Sequence, residues 1–203
     1  MAQLSFLSAE ARVPAVADLA GLLCGRGQAA SFAATAARIS VVVDDLWRAR
    51  LLAAEFARRG IDAGLARTDS GHPSVRTPFR TDLIRLANAW TRGAVKTVPA
   101  DFHLDGAALK FWLLACGRKS DRDYLLMLDP RAPDTHEPLL RALHGIGLVP
   151  AVSGGNLVGA RGGTPAARIA GRRRLDRLAE LVGEPPLGAE SEWPTSHSPM
   201  PAA

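Results

Sequence analysis

The sequence predicts an α+β fold made of two tandem αββαββα repeats, and three observations carry that prediction. The triplet Cys-Gly-Arg occurs at Cys24-Gly25-Arg26 and again at Cys116-Gly117-Arg118, each time closing an apolar run of helical character. The stretch Phe56-Ala57-Arg58-Arg59-Gly60-Ile61 lines up with Leu143-His144-Gly145-Ile146-Gly147-Leu148 as one junction where a helix stops and a strand starts. The order of helix-period and strand-period segments before residue 91 recurs after residue 104. Such self-similarity marks two copies of one supersecondary unit. The chain divides into a lead-in at 1–13, a first repeat at 14–90, a linker at 91–104, a second repeat at 105–183 and a tail at 184–203.

In the first repeat, Pro14 is pre-set for a helical turn, and Val16, Leu19, Ala20, Leu22 and Leu23 continue an apolar face until Gly25 and Gly27 stop it. Residues 29–35 are small and read as extended. Residues 38–43 are β-branched and place Ile39, Val41 and Val43 on one face. Asp44 and Asp45 offer an N-cap to a helix through Leu46, Leu51 and Phe56, which ends at Arg58-Arg59-Gly60 with two cations at its negative end. Residues 61–68 and 74–80 form a hairpin over Asp69-Ser70-Gly71, and Thr81 or Asp82 caps a helix ending at Trp90.

The second repeat opens with a helix over 105–116, followed by a strand at 123–129 and a helix at 136–144 stopped by Gly145 and Gly147. Residues 148–152 and a segment within 156–170 supply the later strands. A helix over 172–182 closes the copy, with Leu175, Leu178, Ala179 and Val182 at helical spacing. The Pro-, Ser- and Gly-rich tail reads as disordered, with Trp193 its one aromatic and sticky residue.

Composition narrows the functions. With 47% hydrophobic and 22% charged residues the chain is that of a globular protein. The start lacks the basic region of a signal peptide and no apolar run is long enough to span a bilayer, so the expected location is cytoplasmic. Two cysteines and five scattered histidines give no metal-ligand spacing, and no cofactor motif is present. The net charge is +5, and the acids Glu184, Glu190 and Glu192 fall in a tail without Lys or Arg, which leaves the body more basic still. That balance suits a polyanion such as DNA. An Arg- and Ala-heavy chain whose only lysines are at 96, 110 and 119 is also what GC-rich coding produces.

The stretch from Leu19 to Gly27 resembles the motif helix of LAGLIDADG homing endonucleases, and the doubled element order resembles their single-chain, two-repeat form. Within that superfamily the likeness is closer to the N-terminal part of WhiA-type sporulation regulators, through the degenerate second motif at 109–117, the strand at 124–128 and the closing Leu178-Ala179-Glu180-Leu181-Val182-Gly183. The resemblance implies two motif helices packed about a pseudo-two-fold, with sheets forming a saddle over double-stranded DNA. It implies a motif-helix interface of Leu19, Gly21, Leu22 and Cys24 against Trp112, Leu113 and Cys116.

In the active family an acid just before the last glycine of each motif holds a divalent metal. Here those positions are Cys24 or Arg26 and Cys116 or Arg118, so every register lacks the carboxylate that magnesium requires. The expected protein is therefore not an enzyme but a DNA-binding transcriptional or developmental regulator, nucleoid-associated in the cytoplasm. Candidate DNA contacts are Arg26, Arg118 and Lys119 behind the motif helices, Arg76 and Arg80 on one strand face, and Arg168. The same arginines also serve as helix-end cations or solvent-face charges. Cys24 and Cys116 read as small buried apolar residues rather than a redox pair. The alternative is a protein-interaction module on the same fold, using an apolar sheet face at Leu126 and Leu128.

Overall fold

The computed structural model describes residues 7–150, 158–159 and 164–195. A 3-10 turn at Val16–Leu19 leads into a short helix α1 (Ala20–Cys24), so Pro14 lies ahead of the helical segment and not in its first turn. Then follow β1 (Gln28–Phe32), β2 (Ala36–Val42), α2 (Leu46–Ala57), β3 (Gly64–Arg67), β4 (Pro73–Arg76) and α3 (Ile84–Trp90). The linker holds a small hairpin that the sequence did not signal, β5 (Thr91–Arg92) with β6 (Val95–Lys96). The second half runs α4 (Gly106–Cys116), β7 (Gly117–Lys119), β8 (Asp123–Met127), α5 (His136–Gly145), β9 (Val158–Gly159), β10 (Pro165–Ala170) and α6 (Arg172–Val182).

The two halves build the same sheet. Strand order is β1-β2-β4-β3 in one and β7-β8-β10-β9 in the other, which is first, second, fourth, third of each half. All pairings are antiparallel. The β1–β2 turn is made by Ala33 and Ala34 at φ 48° and 54°, a conformation usually left to Asn and Gly. Strand β7 follows α4 without a break, so Arg118 and Lys119 sit in a strand and not in a helix-end loop. The strand expected at 148–152 is not formed over Leu148 to Pro150, although Leu148 is buried; residues 151 and 152 lie outside the described residues.

Each sheet buries one face. Ala37, Ile39, Val41 and Val75 point inward from the first; Tyr124, Leu126, Ala167 and Ile169 do so from the second. Leu126 and Leu128 are wholly buried, which removes the apolar docking face on which the interaction-module alternative stood. The tail is corrected over residues 184–195, the rest lying outside the described residues. Trp193 is buried and donates its indole N–H to the Gly183 carbonyl at 2.8 Å, Ala189 is buried, and the Glu192 carbonyl accepts from the Tyr124 hydroxyl at 3.0 Å.

Helices α1 and α4 pack against each other, running in the same direction. Gly21 abuts Ala108 and Phe111, while Gly25 abuts Trp112 and Cys116. Ten of the eleven residues of α4 are buried, which is why its sequence shows an apolar run instead of an amphipathic stripe. Leu19, Leu22, Cys24, Trp112, Leu113 and Cys116 are all buried there too. A Cβ on Gly21 would stand 1.7 Å from the Ala108 carbonyl oxygen, a backbone atom that cannot swing aside. Gly21→Ala should therefore lower stability by about 3 kcal/mol, the upper end for forced overpacking, and drop the melting temperature. Gly145→Ala, whose added Cβ meets nothing within 4 Å, should leave it within a few tenths of a kcal/mol.

Candidate nucleic-acid interface

Both motif helices end at the same place, and each end is closed by a buried cation from elsewhere in the chain. Lys96 of β6 donates to the Gly25 carbonyl at 2.7 Å. Arg48 of α2 donates to the carbonyls of Leu113, Leu114 and Gly117 at 3.1, 3.0 and 2.6 Å. Helix C-termini carry partial negative charge, so cations in these positions are favoured. Lys96 also pairs with the buried Asp129 at 2.6 Å, and Gln28 joins that carboxylate at 3.0 Å. Burial opposes ionisation of Asp129, yet Lys96, the Arg131 amide and Gln28 together hold its carboxyl below the usual carboxylate range.

Beside this junction Asp44 receives Arg118 at 2.5 Å and lies 4.0 Å from Arg26. The two arginines belong to the two repeated triplets. The Cys24 and Cys116 thiols stand immediately inside them. Burial pushes Cys24 well up and Cys116 to about 11, against the pull of Lys96 on the first and of Arg48 and Arg26 on the second, so both stay protonated at neutral pH.

The outward face of the first sheet carries Gln28, Arg38, Ser40, Ser74 and Arg76, as the registers Gln28↔Ser40, Ser40↔Arg76 and Gly64↔Arg76 require. Among the described residues neither Arg38 nor Arg76 has a carboxylate partner; the Arg38 guanidinium lies 4.6 Å from the centre of the Phe79 ring. On the second sheet Arg118, Leu125 and Arg168 form one outward row. Its charges are compensated. Arg168 is tied to Asp123 at 2.5 Å, and Arg118 to Asp44.

This architecture matches solved structures over nearly the whole chain. The homing endonuclease I-WcaI bound to its DNA recognition sequence superposes with a TM-score of 0.58 at 13% identity, covering 90% of this chain and 83% of that one. The N-terminal LAGLIDADG domain of DUF199/WhiA gives 0.53 at 12%, covering 86% and 84%. The protein has a LAGLIDADG fold. No protein-family model and no curated protein matches the sequence. The two likenesses are similar in size, so the LAGLIDADG fold is common ground and neither neighbour is preferred.

The metal that the resemblance to LAGLIDADG endonucleases brings with it does not fit these residues. Magnesium and its kin take oxygen ligands, and the motif ends here present two neutral thiols flanked by an ammonium and a guanidinium. Among the described residues no three His, Cys, Asp or Glu side chains gather to hold an ion, and no helix is long and apolar enough to cross a membrane.

Of the six predicted DNA contacts, the LAGLIDADG fold brings Arg26 and Arg118 together and leaves Arg76 free on the first sheet. Arg80 does not share that face. Thr77 and Arg80 pair with Ile39 and Ala37, so three residues of one strand span two of the other, and this bulge turns Arg80 toward Asp82 and the Gly60 carbonyl. Lys119 pairs with Tyr124 and so points to the side opposite Arg118. Arg168 is outward but held by Asp123. Arg38 was missed, although the alternation that exposed Arg76 applies equally to Arg38 beside Ile39 and Val41. The roles of Lys96, Arg48, Asp44 and Asp129 at the junction were not readable locally, because the partners concerned lie 33 to 74 residues away; Asp44, read as an N-cap, instead takes Arg118.

The Asp129 carboxyl is depressed on folding, so it adds stability above the unfolded value of about 4 that is lost as pH falls through the lower folded value. Lys96→Met leaves this carboxylate buried without its cation and should cost about 3–5 kcal/mol at pH 7. The sign of the pH dependence should also reverse. The variant should melt higher at pH 5 than at pH 7, as Asp129 takes up a proton, while the wild type does not.

Proposed function

We propose that this chain is a LAGLIDADG-fold protein that binds duplex DNA without cutting it, and that it acts as a regulator by occupancy. One observation carries the reading. Where the two motif helices end, the side chains are thiols and built-in cations, while outside that junction Arg26, Arg38, Arg76 and Arg118 face outward. Hydrolysis of a phosphodiester by metal catalysis needs carboxylates to hold the ion, and the two at the junction are already engaged, Asp129 by Lys96 and Asp44 by Arg118. Backbone binding needs only positioned cations.

The contact is unequal between the repeats. Among the described residues Arg38 and Arg76 on the first sheet have no carboxylate to give up, whereas Arg168 must leave Asp123 before it can serve a phosphate. The first repeat is accordingly the main DNA-binding half. Gln28, opposite Ser40, is already held by Asp129, and the short hydroxyls of Ser40 and Ser74 reach little of a base edge, so sequence preference is modest.

Three results are expected from purified protein. Supercoiled plasmid should survive magnesium and manganese uncut. Affinity for a mixed-sequence duplex, followed by fluorescence anisotropy, should fall steeply with salt. Arg38→Ala and Arg76→Ala should each flatten the slope of log affinity against log salt by about one unit, with Arg168→Ala changing it less. Nicking of the plasmid that survives repurification, or salt-independent binding, would overturn the proposal.

A further inference from the structure

We propose that Arg26 and Arg118 form a single phosphate-binding site bridging the two repeats, and that Asp44 fills this site in the free protein as a carboxylate stand-in for the phosphodiester. The inference rests on the DNA-binding reading and adds a gate to it. The two arginines occupy the same place in the two Cys-Gly-Arg triplets, and the packing of α1 against α4 brings them to one carboxylate. Arg118 donates to one oxygen of Asp44 at 2.5 Å, and Arg26 lies 4.0 Å from the other. A phosphodiester likewise offers two non-bridging oxygens on one centre, the pattern that paired guanidinium groups recognise.

Asp44 has no other visible task. It precedes Asp45, the residue at the N-cap of α2, and no side-chain cap bond closes that helix. Its one hydrogen bond among the described residues is to Arg118. Asp44, Arg26 and Arg118 are all partly exposed, at 39%, 37% and 53% of the side chain, so the pairing is open to exchange with an anion from solvent. Arg26 is incompletely satisfied. Its Nε–H is buried and meets no acceptor among the described residues, which leaves the guanidinium short of partners as it stands. An exposed ion pair of this kind is weakly held, and a phosphate fixed by neighbouring contacts on the same strand displaces it.

The test is the affinity of the full chain for a mixed-sequence duplex at low salt, by fluorescence anisotropy, for wild type, Asp44→Asn, Asp101→Asn and Asp44→Asn/Arg118→Ala. Asp101 is exposed and far from the pair in sequence, so its variant controls for the loss of one negative charge. Asp44→Asn should bind about three- to five-fold tighter, the scale of an exposed ion pair, with a salt slope steeper by about one unit. Asp101→Asn should bind like wild type, and the double variant should lose the gain. Because the effect is a gain, misfolding cannot imitate it. Binding by Asp44→Asn alone, with a silent wild type, would support the gate most strongly. Equal affinity of Asp44→Asn and wild type, an equal gain in Asp101→Asn, or a gain that persists in the double variant overturns the inference and leaves DNA binding standing. Absence of binding by every form overturns both.

Discussion

Two helices that end side by side bring two negative poles together, and the rest of this molecule is arranged to make that tolerable. The close contact is set by Gly21 against Ala108, where no side chain fits. The poles are then neutralised by Lys96 on Gly25 and Arg48 on Gly117, neither of which is near its partner in sequence. Arg48 in turn stacks on Trp47 and lies 3.7 Å from Glu192, which is how the tail comes to be tied to the motif junction. Removing either cation would expose a buried carboxylate or a set of buried carbonyls.

The same arrangement separates structure from function. Cations at the core of the junction are spent internally on carbonyls and on Asp129. Cations outside it, on β2 and β4, have no such employment among the described residues. A second buried cluster, in which Arg59 joins Asp18 at 2.7 Å and Glu55 at 2.8 Å and stacks on Phe111, fastens the first 3-10 turn and α2 to α4. Arg59 thus belongs to the core, although as a helix-end residue it looked like a dipole cation. In an arginine-rich chain, net charge alone does not tell these uses apart.

Much of the fold was legible because its elements follow local rules. Ile39, Val41 and Val43 announced an inward strand face, Gly60 at φ 68° ended α2, and Asp105 capped α4 by accepting from the Ala108 amide. The repeated triplet identified the two helices that pack. Illegible features were those decided at long range or against local preference. Ala33 and Ala34 turn a hairpin without Gly or Asn, Pro78 lies in a bulge that reverses Arg80, and Trp193 anchors a segment whose composition spoke for disorder. The site was half legible for the same reason. Arg26, Arg76 and Arg118 could be read from spacing, but which of them lacks a carboxylate partner among the described residues depends on Asp44 and on what surrounds Arg76, which only the tertiary structure reveals.

The central claim, that DNA lies on the outward face of the first repeat and across the motif junction, is tested most directly by amide chemical-shift mapping. A 15N-labelled sample titrated with a mixed-sequence duplex at low salt should shift the amides around Arg38, Ser40 and Arg76, together with those of Arg26 and Arg118, and leave α5 and α6 unchanged. Shifts gathered on α5 and α6, or none at saturating duplex, would contradict it.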